Sequence, residues 1–169
     1  MFLKKIKNKN KGSMMVEIII ATSIITVFVL VSLSVAQKAI TVSRRAVHTA
    51  EASFLLEEGA ESIKIFRDSN TTWINFTNLF NTSSTYCMPS TISSWTSVLS
   101  TSSPCTKIGI FTRVVNVANV NRDTISSDIV SSGGVDDPGT KLITITVSWP
   151  ESGSTINKVL RFYINNIFP

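Results

Sequence analysis

The order of apolar and polar positions divides the chain into a helical first part and a strand-rich last third. Residues 18–36 form an unbroken apolar run that carries no charge and no proline. As a helix this run would span about 28 Å at a rise of about 1.5 Å per residue, which is close to the hydrocarbon thickness of a bilayer. The pattern therefore predicts one membrane-spanning helix.

The helical pattern continues beyond the apolar run, because residues 37–68 contain no proline and repeat apolar side chains at helical spacing. One continuous helix from residue 13 to about residue 68, on the order of 84 Å long, is the expected structure. Its second half is amphipathic and is expected to pack under a sheet. The predicted apolar stripe contains Ala52, Leu56, Gly59, Ala60, Ile63 and Phe66, whereas Glu51, Glu58, Glu61 and Ser62 are predicted to lie off it.

The last third shows the two-residue period of half-buried strands. Apolar residues alternate with polar ones across 142–149, and a turn at 150–154 leads into a second strand at 156–164. An earlier strand is expected at about 108–117. These patterns predict an α+β fold in which a long N-terminal helix packs on an antiparallel sheet of three or four strands.

Between the helix and the strands lies a connector rich in serine, threonine and asparagine, with a short helix expected at 73–80. The predicted organisation has five segments: a basic leader (1–12), a membrane and assembly helix (13–36), an extracytoplasmic amphipathic helix (37–68), the connector with its cysteine loop (69–106) and the sheet (107–169).

The distribution of charge predicts that the N-terminus lies on the cytoplasmic side of the predicted span, because basic residues are more numerous before the span than close after it. The basic residues before it are Lys4, Lys5, Lys7, Lys9 and Lys11, and those after it are Lys38, Arg44 and Arg45. The whole chain has 16 basic and 11 acidic residues and a pI near 9.4. Without the five leader lysines the formal charge is zero, so composition gives no argument for nucleic-acid binding.

Glu17 stands at the cytoplasmic end of the apolar run. A carboxylate there is costly and by default calls for a partner and a function. The alternative is that Glu17 only marks the membrane interface and begins the helix, where the positive end of the helix dipole tolerates it. A cleaved secretory signal is disfavoured because the apolar run is long and no small-residue cleavage site follows it.

The residues around Glu17 resemble the prepilin signal of type IV pilins and pseudopilins: a basic leader, then Gly12, Ser13 and Glu17, followed by a long apolar helix. The resemblance implies cleavage by prepilin peptidase between Gly12 and Ser13, and N-methylation of Ser13. Glu17 would then be the fifth residue of the mature chain. Ser13 departs from the phenylalanine or methionine that is usual in the family.

The resemblance also implies a structural role as a minor subunit of a type IV pilus or of a type II secretion-like pseudopilus. The expected partners are other pilin or pseudopilin subunits, prepilin peptidase, an inner-membrane assembly platform and the lipid bilayer. The expected location is a single-pass membrane protein with an extracytoplasmic C-terminal domain, and a surface filament after assembly. The alternative is a signal-anchored extracytoplasmic binding or adhesion module that does not polymerise.

The remaining chemistry is sparse. Cys87 and Cys105 are the only cysteines, and an even number in an exported domain predicts a disulfide. Four acidic residues of the segment between strands could hold calcium, but their spacing favours solvated turns: Asp123, Asp128, Asp136 and Asp137. His48 is expected at the surface, and no motif suggests catalysis, a cofactor or a metal site.

Overall fold

The computed structural model describes residues 11–69, 72–80, 82, 84–88 and 104–167. The chain divides into two compact units, Met1–Val47 and His48–Pro169. Helix α1, Lys11–Ser69, is the element in which the first unit ends and the second begins. The predicted basic leader lies mostly outside the described residues. The chain combines one long N-terminal helix with a C-terminal antiparallel sheet, so the expected α+β class is confirmed.

The second unit contains an antiparallel sheet of five strands. The strands are β1 (Thr85–Cys87), β2 (Thr112–Arg122), β3 (Ile129–Val130), β4 (Val135–Glu151) and β5 (Ser154–Asn165). Their order is β1-β2-β4-β5, and the short β3 pairs with the end of β2. One strand more is present than the largest number expected from the sequence.

The connector holds two elements before its larger undescribed part, residues 89–103. Helix α2, Trp73–Asn78, confirms the short helix predicted there. It begins where the Thr72 side chain accepts a hydrogen bond from the backbone N–H of Asn75 at 3.3 Å, as an N-cap does. Strand β1 was not predicted, because three residues are too few to show a two-residue period.

Strands β4 and β5 form the predicted hairpin. Its turn is shorter than the pattern suggested, since Pro150 and Glu151 still pair with Thr155 and Ser154. Only Ser152 and Gly153 form the turn, with φ angles of 50° and 82°. Two successive positive φ angles are the property of a type I′ turn, whose twist matches that of the flanking strands.

Three strand boundaries differ from the prediction. Strand β2 begins at Thr112, because Ile108 and Phe111 pair with each other across a tight turn. It continues to Arg122 through a register shift between Asn119 and Asn121. Strand β4 begins at Val135, so Asp136 and Asp137 belong to a strand and not to a turn.

Helix α1 and the sheet share one hydrophobic core within the second unit. All six residues of the predicted helix stripe are buried, and the four apolar residues predicted to face inward from β4 are at most 2% exposed. Ser62 is also buried, which contradicts its predicted position off the stripe. Its hydroxyl donates to the backbone oxygen of Glu58 at 2.7 Å, so burial leaves no donor unsatisfied.

Candidate functional site on helix α1

The first part of helix α1 is apolar and exposed around its whole circumference. Every residue from 14 to 46 is exposed, including large side chains such as Phe28, which is 72% exposed. By length and composition this is the single helix in the described part of the chain that could cross a membrane. So many exposed apolar side chains are unfavourable in water, so this surface calls for lipid or for other helices.

The hydroxyl groups in the apolar run are satisfied inside the helix. Each donates to a backbone carbonyl oxygen three or four residues earlier, at 2.7–3.0 Å. The residues are Thr22, Ser23, Thr26, Ser32 and Ser34. Because no hydroxyl needs a partner outside the helix, the run can enter an apolar environment without the cost of an unpaired polar side chain.

Glu17 is the only ionisable residue between positions 14 and 37. Its side chain is exposed, and no side chain described between residues 14 and 69 forms a hydrogen bond or an ion pair with its carboxylate. It lies beyond the first turn of the described helix, which contains no acidic residue. Since the effect of the helix dipole fades within one turn, the dipole of this helix gives Glu17 little stabilisation.

Gly12 and Ser13 lie in the first turn of the described helix. Only the backbone of these two residues is described, so the proposed cleavage and methylation at this bond stay predictions. If the bond between them were cut, the new N-terminal amine would stand four residues before Glu17. The N-terminal end of the helix, up to residue 37, would then carry one cation and one carboxylate.

Cys87 and Cys105 are disulfide-bonded, with 5.2 Å between their Cα atoms. Cys87 ends strand β1, which pairs with β2 through Cys87 and Val114. The disulfide therefore links Cys105, near the C-terminal end of the connector, to β1 at the edge of the sheet. Disulfides of this kind persist in oxidising compartments, which agrees with an exported location for the second unit.

The acidic residues considered for calcium do not gather into a site. Among the described residues, no group of three or more potential metal ligands is close enough to hold an ion. Asp137 instead pairs with Arg122 at 2.6 Å and accepts a hydrogen bond from the Thr140 hydroxyl at 2.7 Å. The Arg122 guanidinium, followed by that hydroxyl, holds the pKa of the Asp137 carboxyl below its usual range.

Asp123 acts within a turn. Its carboxylate accepts hydrogen bonds from the backbone N–H groups of Ile125 and Ser126 at 2.8 and 2.9 Å. These hydrogen bonds lower the pKa of Asp123, and the bond from Ser126 has the larger effect. Asp123 is therefore a turn residue, as the sequence predicted. Asp137 is not, because it belongs to strand β4 and forms an ion pair with Arg122.

Two contacts between the helix and the sheet were missed by the sequence reasoning. Arg113 of β2 is fully buried and donates to the backbone oxygen of Leu55 at 2.8 Å, and it pairs with Glu58 at 3.2 Å. Lys158 of β5 donates to the Ser53 hydroxyl. The sequence contains a signal for the burial of Arg113. Side chains alternate between the two faces of a strand, so Arg113 lies on the same, inward face of β2 as Val115 and Val117.

His48 is partly buried and not at the surface as predicted. Its ring meets that of Phe111 edge-on, with 6.3 Å between the centroids. The Nδ1 atom is buried and forms no hydrogen bond with any described residue. The histidine therefore serves as an aromatic neighbour at the start of the second unit.

No protein-family model, characterised protein or solved structure matches this chain. The features that bear on function are therefore the chemistry of helix α1 and the resemblance of its N-terminal residues to the prepilin signal.

Proposed function

We propose that this chain is a structural subunit, of the minor class, of a type IV pilus or a type II secretion-like pseudopilus. Prepilin peptidase removes the leader after Gly12, Ser13 is methylated, and the subunit waits in the membrane until its N-terminal helix packs among those of other subunits. The supporting observation is Glu17, which is the only charged residue between positions 14 and 37 of the exposed, apolar first part of helix α1.

The exposed apolar surface supports both stages of this life cycle. In the membrane, lipid covers the first part of α1. In a filament, neighbouring helices would cover the same surface, and small residues such as Ala21, Ser32 and Ala36 would allow close approach. Because the hydroxyls are satisfied within the helix, transfer from lipid to protein requires no new side-chain hydrogen bonds.

Glu17 gives the assembly its direction. A carboxylate in apolar surroundings gains most from a nearby cation, since attraction grows as the dielectric constant falls. Cleavage would create such a cation in every copy, the amine of Ser13. We assign Glu17 to the N-terminal amine of an adjacent subunit, where the pair would neutralise two charges that are costly to bury separately.

The experiment replaces Glu17 by valine and by glutamine and follows each variant in the membrane fraction and in sheared surface filaments. We expect both variants to insert normally but to lose most of their incorporation into filaments. Ile18→Val is the matched control, because it alters the neighbouring residue and keeps the run apolar. Normal incorporation of Glu17→Val would contradict the proposal and favour a plain membrane anchor that carries a binding module.

A further inference from the structure

The outer face of the sheet, which is turned away from the hydrophobic core, carries a single charged side chain. This face consists of the even-numbered positions 112–118 of β2 and 142–148 of β4 and the odd-numbered positions 157–163 of β5, which lie side by side in the sheet register. Only Arg161 among them is charged. Arg161 is exposed and forms no hydrogen bond or ion pair within the described part of the chain. An unpartnered cation on an uncharged face is open to an anionic ligand.

A groove opens at one end of the outer face, beside Arg161. Residues 129–131, at and just after β3, line one side of it, and Tyr163 of β5 lines the other. Strands β2 and β4 lie between them and contribute Val120 and Leu142. The groove has a volume of about 530 Å³, and none of its lining residues is charged. This volume lies in the range of about 300–1,000 Å³ that is usual for small-molecule sites.

The groove combines an aromatic ring with polar groups that lack a partner. Tyr163 is 50% exposed and lies opposite Leu142 in the sheet. The hydroxyls of Tyr163 and Ser131 form no hydrogen bond with any described residue. The Asn121 amide donates to the Gly133 backbone oxygen at 2.9 Å, which orients the amide and leaves its oxygen able to accept. Because hydroxyls both donate and accept, this set suits a ligand that itself carries hydroxyls.

The ring and the cation are spaced for one ligand. Tyr163 and Arg161 are two residues apart on the same face of β5, a distance of about 7 Å along the strand. Thr144 lies opposite Arg161 in the register, and its hydroxyl also has no partner within the described part of the chain. A group that packs on Tyr163 could therefore place an attached anion against the Arg161 guanidinium and the Thr144 hydroxyl.

We propose that the groove and Arg161 together form a binding site for an acidic saccharide. The apolar C–H face of a sugar ring packs on Tyr163, its hydroxyls bond to the groove, and its carboxylate pairs with Arg161. We call these residues the saccharide site. It goes beyond the proposed function and does not depend on assembly, because all of its residues belong to the second unit.

The charge of the outer face favours a saccharide over a nucleic acid. Single-stranded nucleic acids carry a phosphate at every nucleotide, and proteins bind them with a basic groove in addition to aromatic rings. Here the groove is uncharged and one cation stands beside it. This arrangement matches a ligand that presents one anionic group next to a hydroxyl-rich ring.

The direct test uses the full chain in a zwitterionic detergent that carries no sugar. The two probes are trigalacturonic acid and its methyl ester, which keeps the rings and hydroxyls but removes the charge. Titrations followed by saturation-transfer NMR measure the affinity for each probe. We expect both to bind, the acid about threefold more tightly, because an exposed ion pair contributes little. Absence of saturation transfer to both probes would overturn the proposal.

Two substitutions separate the contribution of the charge from that of the ring. Arg161→Gln should lower the affinity for the acid to that for the ester and leave the affinity for the ester unchanged. Tyr163→Leu should weaken both probes about tenfold, whereas Tyr163→Phe should retain most of the binding because it keeps the ring. Both side chains are exposed, so the denaturant midpoint of each variant should match that of the unaltered protein.

The matched controls make equal changes elsewhere in the second unit. Lys107→Gln removes another exposed cation, and Phe54→Leu removes another exposed aromatic ring. Neither should alter the affinity for either probe. If Lys107→Gln weakened the acid as much as Arg161→Gln does, the attraction would be unspecific and the proposal would fail.

Competition distinguishes a saccharide from other anions. Oligothymidylate and an oligoglutamate peptide should each fail to displace trigalacturonic acid at equal concentration. Displacement by the first would assign the face to nucleic acid, and displacement by the second to an acidic protein segment, and either result would overturn the proposal. The proposed function would still stand, because assembly through Glu17 does not involve the outer face.

Discussion

Arg113 and Glu58 form an ion pair whose two members differ in burial. Arg113 is fully buried, whereas the Glu58 side chain is 46% exposed, and 3.2 Å separates the Arg113 Nη1 atom from a carboxylate oxygen. The guanidinium also donates to the Leu55 backbone oxygen. The sheet thus holds the second half of α1 by a buried cation whose partner charge lies at the edge of the core.

This asymmetry predicts unequal effects of two substitutions. Glu58→Ala leaves a buried cation without its counter-charge and should lower the free energy of unfolding by about 2 kcal/mol, less than for a fully buried pair because water reaches Glu58. Arg113→Met leaves a carboxylate that water can hydrate and should cost less than about 1 kcal/mol. Denaturant unfolding of the detergent-solubilised protein measures both. A larger cost for Arg113→Met would contradict this account.

Gly59 is expected to tolerate no side chain without repacking. A Cβ at this position would lie 3.2 Å from the Met88 sulfur and 3.3 Å from the Ile145 Cδ1 atom. Gly59→Ala gains about 1 kcal/mol in helix propensity but overpacks the core at a cost of about 1–3 kcal/mol, so we expect net destabilisation.

The matched test places Gly59→Ala in a Met88→Ala background, where the sulfur is gone. The cost of the alanine should then shrink, which appears as coupling between the two sites in a double-mutant cycle of unfolding free energies. Simple additivity would show that Met88 does not restrict this position.

The disulfide is expected to stabilise the second unit. Its cysteines are 18 residues apart, and closing a loop of this size contributes about 3 kcal/mol in the chain-entropy model. Replacing both Cys87 and Cys105 by serine should lower the unfolding free energy by about that amount and loosen strand β1. Hydrogen exchange of the β1 amides would report the loosening, and unchanged protection would contradict it.

Asp137 is expected to make the free energy of unfolding depend on pH in the acidic range. Its pKa in the folded chain lies below the ordinary value of 3.8. The stabilisation from its ion pair with Arg122 is therefore complete well above pH 3.8 and is lost as the pH falls through the lower, folded-state pKa. Asp137→Asn should weaken the dependence of unfolding free energy on pH in this acidic range. Asp136→Asn, at the exposed neighbour, is the control for the same chemical change beside the ion pair.

Much of the fold could be predicted because its signals are periodic over long segments. The stripe from Ala52 to Phe66 and the alternation from Ile143 to Trp149 each repeat several times, and both are buried as expected. Strand β1 is too short to repeat. The start of β4 was missed because Asp136, Asp137, Pro138 and Gly139 have the composition of a turn, and only pairing with neighbouring strands reveals them as strand residues.

The same reasoning explains which parts of the site escaped prediction. Glu17 was visible because one charge interrupts an apolar run. Arg113 also carried a signal, its inward position on β2, but a charged residue at such a position does not show its partners, Leu55 and Glu58. Long-range partners of a buried charge depend on the tertiary arrangement, which local sequence patterns do not encode.

The central claim is that the chain is a processed subunit, and the mass of its mature N-terminus tests this most directly. The protein should be isolated from membranes and from sheared filaments and its N-terminal peptide measured by mass spectrometry. We predict a chain that begins at Ser13 and carries one methyl group on its amine. A chain that retains Met1, or one that is cut after the apolar run, would contradict the account.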